Sequence, residues 1–192
     1  MRLLDPRVWW LCLRLYGQAW SGRYSPCGDV ARADCLVGFS FGVTEVGGVP
    51  QPGASNSFLA RFAFDRFRSV PKILQKEIAE AYQPLDPGGR VEWIRQHRVS
   101  PGRYLDTREV AEQALAVMQA NGWNRPLIVA HGHHVPRAAA VCRRLGMDVI
   151  VPAGLEKVPF CPGSTQPWTR GLWRWRWREA VAIAGFAWKG WL

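Results

Sequence analysis

Residues 34–41 read Asp-Cys-Leu-Val-Gly-Phe-Ser-Phe, a near-continuous apolar run after a polar stretch. That is the pattern of a strand buried on both faces of a parallel sheet. The run opens into a loop rich in glycine and proline over 42–53. A helix is predicted over 55–67, with Phe58, Leu59 and Phe62 on one face. The segment 71–82 has two readings. Either Lys72-Ile73-Leu74-Gln75 is a short strand with a helix starting near Glu77, or the whole segment is one helix with Pro71 in its first turn. Residues 84–89 form a loop, and 90–94 a short strand.

Farther along, Val110, Ala114, Val117 and Met118 give the apolar stripe of a helix over 106–121. Asp106 and Glu109 have capping-box spacing at its start, and Gly122 stops it. Pro126 to Ala130 reads as another apolar strand, 136–145 as a helix stopped by Gly146, and 148–151 as a strand. Strands alternating with helices through short connections predict an α/β fold: a three-layer, Rossmann-like parallel sheet with helices on both faces. Ligands bind such sheets at the carboxyl ends of strands, so the candidate loops follow Phe41, Ile94 and Ala130.

The two ends carry a different pattern. Val8 to Leu15 is apolar but short and broken by Arg14. A membrane-spanning helix needs ~20 mostly apolar residues, so this reads as an amphipathic element. From Trp168 to Leu192 the chain is dense in Trp and Arg. Trp173, Trp177, Val181, Ala184, Trp188 and Trp191 share one helical face, and Arg170, Arg174 and Arg178 another. Such a helix can lie on an anionic membrane or stack single-stranded bases. It can also dock its Trp face on the domain or on the Trp9-Trp10 segment. Amphipathic stripes are usually core, so docking is the expected outcome. The organisation is therefore an N-terminal amphipathic segment packed on the domain (1–33), an α/β domain (34–155), and a C-terminal extension with a basic Trp-rich helix (156–192).

Composition narrows the classes. Hydrophobic residues at 48% of the 192 allow a substantial core, and charged residues at 21% argue against wholesale disorder. The net charge of +10 favours an anionic partner: a nucleic acid, an anionic membrane or a phosphorylated ligand. Five cysteines, an odd number with no Cys-x-x-Cys pair, argue against a disulfide framework or a cysteine-built zinc site, and favour free thiols in a reducing cytoplasm.

Candidate chemistry gathers after the first and fourth predicted strands. Gly38, Ser40, Gly42, Gly47 and Gly48 let backbone amides approach a ligand, although neither a dinucleotide fingerprint nor a P-loop is present. A tight strand exit explains the same glycines. Three of the four histidines, His131, His133 and His134, fall within four residues just past a strand. Imidazoles serve as acid–base groups or metal ligands. A metal needs further ligands, and the acid–base reading is preferred over a metal site. One of the three histidines is also explained by capping or packing. Arg137, in the next helical turn, has the forked geometry for a carboxylate or phosphate; taken alone, it reads as an ordinary surface arginine. Thr107 and Glu109 start a helix, where free amides attract anions, although capping alone explains Asp106 and Glu109.

Several short segments resemble one family. Val129-Ala130-His131-Gly132-His133-His134-Val135-Pro136-Arg137-Ala138 is similar to the strand-then-helix segment ending in His-x-x-Arg-Ala of the YdcF/SanA/ElyC-like bacterial proteins, with His134 and Arg137 at the matching positions. Thr107 and Glu109 resemble that family's Thr-x-Glu, Gly38 to Gly42 its first loop, and Glu77 before Ile78-Ala79 its Glu-Ala position. The resemblance covers roughly residues 34 to 155. It departs at Val110, where the family has Asn, and near Gln75, where a Ser-Gly-Gly loop is absent. It implies a Rossmann-like domain and a nucleotide-like or phosphate-bearing ligand. Many members are linked to the cell envelope, several by an N-terminal membrane anchor that this chain lacks, which favours a cytoplasmic location.

The resulting expectation is an enzyme or enzyme-like binder of a small anionic metabolite, with reaction and cofactor open. His134 would be the acid–base or ligand-orienting group and Arg137 would hold an anionic group. His131 and Glu109 are further catalytic candidates. Gly38, Ser40, Gly42, Glu77, Thr107 and His133 are ligand-binding candidates. The alternative is a non-enzymatic binder of an anionic membrane surface or nucleic acid through the C-terminal helix.

Overall fold

The computed structural model describes residues 5–100 and 104–192. Strands β1 (Cys35–Gly38), β4 (Lys72–Gln75), β5 (Val91–Ile94) and β6 (Pro126–Val129) form one parallel sheet in the order β5-β4-β1-β6. β1 is central because it is apolar throughout and wholly buried, with β4 on one side and β6 on the other. Between β1 and β4 in sequence comes a separate hairpin of β2 (Val43–Val46) and β3 (Val49–Pro52). The predicted strand over 148–151 is reduced to bridges: Ile150 pairs in parallel with Leu127, and Val151 pairs antiparallel with Cys27.

Helices α2 (Ala54–Phe67) and α3 (Lys76–Tyr82) follow β3 and β4, and α4 (Thr107–Ala120) and α5 (Val135–Arg144) follow β5 and β6. The chain moves one way along the sheet from β1 to β5 and the other way from β6 onward. Right-handed crossovers then set α2 and α3 on one face and α4 and α5 on the other, a three-layer Rossmann-like arrangement. Of the two readings of 71–82, the strand followed by a helix holds. Lys72 explains the early start of the strand: its Nζ donates to the carbonyls of Phe67, Arg68 and Val70 at 3.1, 2.7 and 2.7 Å. These groups lie where α2 ends, so a buried ammonium closes the turn into β4.

The stretch 42–53 was expected to be a loop and is instead a two-stranded hairpin. Gly47 and Gly48 have φ of 58° and 80°, the left-handed pair that a two-residue hairpin turn requires. Pro50 and Pro52 are tolerated because this ribbon stands apart from the main sheet. Residues of the C-terminal extension hold it: the Val43 amide donates to Ser164 Oγ at 3.1 Å, and the Thr165 amide donates to the Val43 carbonyl at 2.7 Å.

The two terminal helices, α1 (Pro6–Ser21) and α6 (Leu172–Trp188), pack on each other, and α1 also meets α5. The C-terminal Trp/Arg-rich helix is therefore docked, but with a different face from the one expected. Trp175, Glu179, Ala182, Ile183, Phe186 and Ala187 are buried, whereas Trp173, Trp177, Val181 and Trp188 of the Trp stripe are exposed. Among the described residues, no helix is long and apolar enough to cross a membrane.

Candidate functional site at the carboxyl rim of the sheet

β1 and β6 are adjacent, and the chain leaves them in opposite directions. Their carboxyl ends therefore form a topological switch point, where open α/β sheets bind ligands. Phe39 and Ser40 emerge from β1, Gln75 ends β4, and His134 lies between β6 and α5. With Tyr104, Leu105, Thr107, Val110 and Gln166 these residues line a cavity of about 30 Å³. That is the room of about one water molecule or one small polar group.

Within it, Thr107 is the hub. Its hydroxyl lies 3.1 Å from His134 Nε2 and accepts an N–H from Arg137. Having accepted from Arg137, the hydroxyl has its own proton to give, and the network assigns that proton to His134 Nε2. The ring proton then sits on His134 Nδ1, a buried atom with no hydrogen-bond partner in the structure. Burial, with the nearby Arg137 adding to it, pushes this imidazole well below its usual range. His134 is thus a neutral group at physiological pH, suited to hydrogen bonding, and not a fixed cation.

Arg137 corrects an expectation. It does not wait as an open anion site, because Glu179 of α6 already occupies it. The guanidinium Nε and NH2 donate to the two carboxylate oxygens at 2.8 and 2.9 Å, and Glu179 is wholly buried. Burial works against the charge on Arg137, but the carboxylate more than offsets it and raises the guanidinium pKa. Phe186 lies under the guanidinium, 5.1 Å from ring centroid to Cζ. Arg137 therefore acts here by positioning Thr107.

The other two histidines also depart from expectation. His131 is not on the cavity wall. Its ring stacks on Phe41 with centroids 4.0 Å apart and planes at 15°, and burial pushes its pKa down to about 3. Its Nε2 is buried without a partner. His133 donates through Nδ1 to the Ala19 carbonyl, while Arg176 of α6 donates to the Trp20 carbonyl at 3.0 and 2.8 Å. Both carbonyls are orphans of the last turn of α1, so His133 caps a helix and is not free for a ligand.

The remaining candidates separate as well. Glu109 is drawn toward the other side of α4: its carboxylate accepts from the Arg98 amide at 3.0 Å and from Gln113 at 2.9 Å, with His97 at 3.9 Å. Burial opposes its ionisation, yet these donors hold its pKa below the usual value. It does not orient His134 or Arg137. Glu77 has one buried oxygen without a partner, outside the cavity lining. The loop amides expected to cradle a ligand are taken by side chains: Ser40 N–H by Gln75 at 3.0 Å, and Phe41 N–H by Asn56 at 2.8 Å. Gly42 gives its carbonyl to Asn56 Nδ2, and Gly38 packs tightly beneath Leu74. Of the predicted set, Ser40, Thr107 and His134 meet at the cavity, with Arg137 behind them.

Sequence reasoning missed the roof. Tyr104 packs edge-on against Trp168 with centroids 6.2 Å apart, and Arg178 lies over Trp168 at 5.5 Å. Arg178 also acts electrostatically on both Tyr104 and His134. Trp175 covers His134 and Phe41, with ring centroids 5.6 and 4.6 Å away. A Trp/Arg-rich segment was the available signal, but nothing in its spacing points back to residue 134.

Among the described residues, no cluster of three or more His, Cys, Asp or Glu is placed to hold a metal ion. No family model matches the chain, and neither a curated protein nor a solved structure matches it.

Proposed function

We propose that this chain is a YdcF/SanA/ElyC-like ligand-binding protein, with the makings of an enzyme, acting on a small nucleotide-like or phosphate-bearing metabolite in the cytoplasm. The observation that carries this reading is the meeting of Ser40, Gln75, Thr107 and His134, from four separate segments, around one cavity at the switch point. The exposed ring of Tyr104, the half-buried Trp168 beside it and the guanidinium of Arg178 extend that cavity outward. An aromatic pair with an arginine suits a base and a phosphate. The inner cavity takes only one small group, so a ligand places one polar end against Thr107 and His134 and leaves the rest over the aromatic pair. Five free cysteines favour the reducing compartment.

In this reading Thr107 accepts one hydrogen bond at the polar end through its remaining lone pair, and neutral His134 orients that end. Arg137 and Glu179 hold Thr107 in place. Calorimetric titration with nucleotides, sugar phosphates and S-adenosylmethionine tests it. The expected result is binding of one class, weakened roughly tenfold or more by Thr107→Val, His134→Asn or Arg178→Gln. Absence of binding by every class, or binding that none of the three variants weakens, overturns it.

A further inference from the structure

The outer surface of the α1–α6 pair has no role in the cavity. On α6 the residues Trp173, Trp177, Val181, Ala184 and Trp188 recur every three or four positions and face away from the domain. Trp177 and Trp188 are each 71% exposed and Val181 69%. On α1, Trp10 is 74% exposed and Leu13 58%. The two stripes are continuous. A groove of about 150 Å³ between the helices is lined by Val8, Cys12 and Leu13 of α1 and by Ala180, Ile183 and Ala184 of α6. Leu13 and Ala184 belong to the exposed stripes, so the groove joins them into one face.

Charge on this face has one sign. α1 carries Arg7 and Arg14 and no acidic residue, and Asp5 caps it from outside. α6 adds the exposed Arg174, followed by Lys189, while Arg176 and Arg178 are engaged with Trp20 and Trp168, and its one acid, Glu179, is buried against Arg137. The acidic group that would soften this cationic rim is thus turned inward.

We infer that this face docks on an anionic lipid bilayer, with α1 and α6 lying in the plane of the interface. Tryptophan prefers the headgroup level, Leu13 and Val181 reach the acyl boundary, and the arginines meet lipid phosphates. Helices of 16 and 17 residues, about 24–26 Å long, fit this placement, and neither can span. A second copy fits less well, because an isologous contact sets the same cationic rims against each other. Single-stranded nucleic acid fits less well too, since it needs a cationic groove along its backbone, and the groove that joins these stripes, with Trp9 and Tyr16 also on its walls, is apolar.

Flotation of the full chain with vesicles tests the inference. Binding is expected to vesicles containing phosphatidylglycerol, with a blue-shifted Trp emission, and to fall with added salt. Binding to phosphatidylcholine alone is expected to be roughly tenfold weaker. Trp177→Glu and Trp188→Glu each weaken binding roughly tenfold, whereas Val46→Glu, at an exposed apolar position on the hairpin, leaves it unchanged. Thermal melts of the variants show that each remains folded. No binding to the anionic vesicles, or equal binding by all variants, overturns the inference. So does a dimer in solution that Trp177→Glu dissociates, or single-stranded DNA bound through this face with no vesicle binding.

Discussion

The Arg137 guanidinium and the Glu179 carboxylate face each other as a two-bonded fork, and both are buried. Removing one partner of such a pair leaves an uncompensated charge away from water, at a cost of about 3–5 kcal/mol. Glu179→Ala is therefore expected to lower the stability read from denaturant unfolding by that amount. Replacing both residues together, Arg137→Met with Glu179→Leu, recovers most of it, because the desolvation cost then disappears. Equal destabilisation by the single and the double replacement would show that shape, and not charge, holds α6 here.

Acid sensitivity follows from the histidines. His131, His133 and His134 are all held below their usual pKa, first by burial, His131 at about 3. The unfolded chain binds these protons near pH 6.5 while the folded chain resists them. Stability is thus full above about pH 6.5 and is lost as the pH falls toward the folded pKa values, by up to about 1.4 kcal/mol per pH unit for each imidazole. Carboxylates titrate lower, so the interval between about pH 6.5 and 5.5 isolates the histidines. His131→Phe keeps a ring on Phe41 and is expected to reduce the slope of stability against pH by about one proton. An unchanged slope would count against the assignment.

Deletion of residues 168–192 removes Trp168, Trp175 and Glu179 together. It uncovers Phe41 and His134, leaves Arg137 unpaired and takes Arg176 from the end of α1. The truncated chain is expected to lose its cooperative thermal transition and to bind a hydrophobic dye. A sharp transition in the truncated chain would show that α6 is an appendage.

Close packing beneath the rim gives a further expectation. A methyl group on Gly38 would stand 2.7 Å from Leu74 Cδ2 and 3.2 Å from Ile78 Cδ1, both in the wholly buried core. Gly38→Ala is expected to cost about 1–3 kcal/mol as these side chains give way. Chemical denaturation measures it, and Leu74→Val alongside Gly38→Ala is expected to recover part of the loss.

The sheet was legible in the sequence because β1 and β6 are buried throughout and read as apolar runs, whereas Lys72 and Gln75 left β4 open to two readings and β5 is only half-buried. α4 showed its cap and stop, and α5 its stop. The hairpin escaped notice because its two prolines read as loop, while the Gly47-Gly48 pair, a turn signal in its own right, was absorbed into a glycine-rich stretch. The face of α6 was misassigned for a different reason. Both sides of that helix are apolar, so periodicity alone could not choose between Trp175 with Phe186 and Trp177 with Trp188. The choice is made by Glu179, whose partner lies 42 residues away. Long separation in sequence also hid the site's roof, whereas Thr107 and His134 stood at element ends and were legible from position. Arg137 stood out in the sequence, but the acid that neutralises it did not.

The placement of Glu179 also bears on how the chain is made. Translation delivers Arg137 well before Glu179, and domains fold from the N-terminal side as they emerge. Until α6 clears the ribosome, a nascent chain holds a lone guanidinium under the rim with nothing to neutralise it. Closure of the interior therefore waits on α6, because a chain stopped before Glu179 has no acid to set against Arg137.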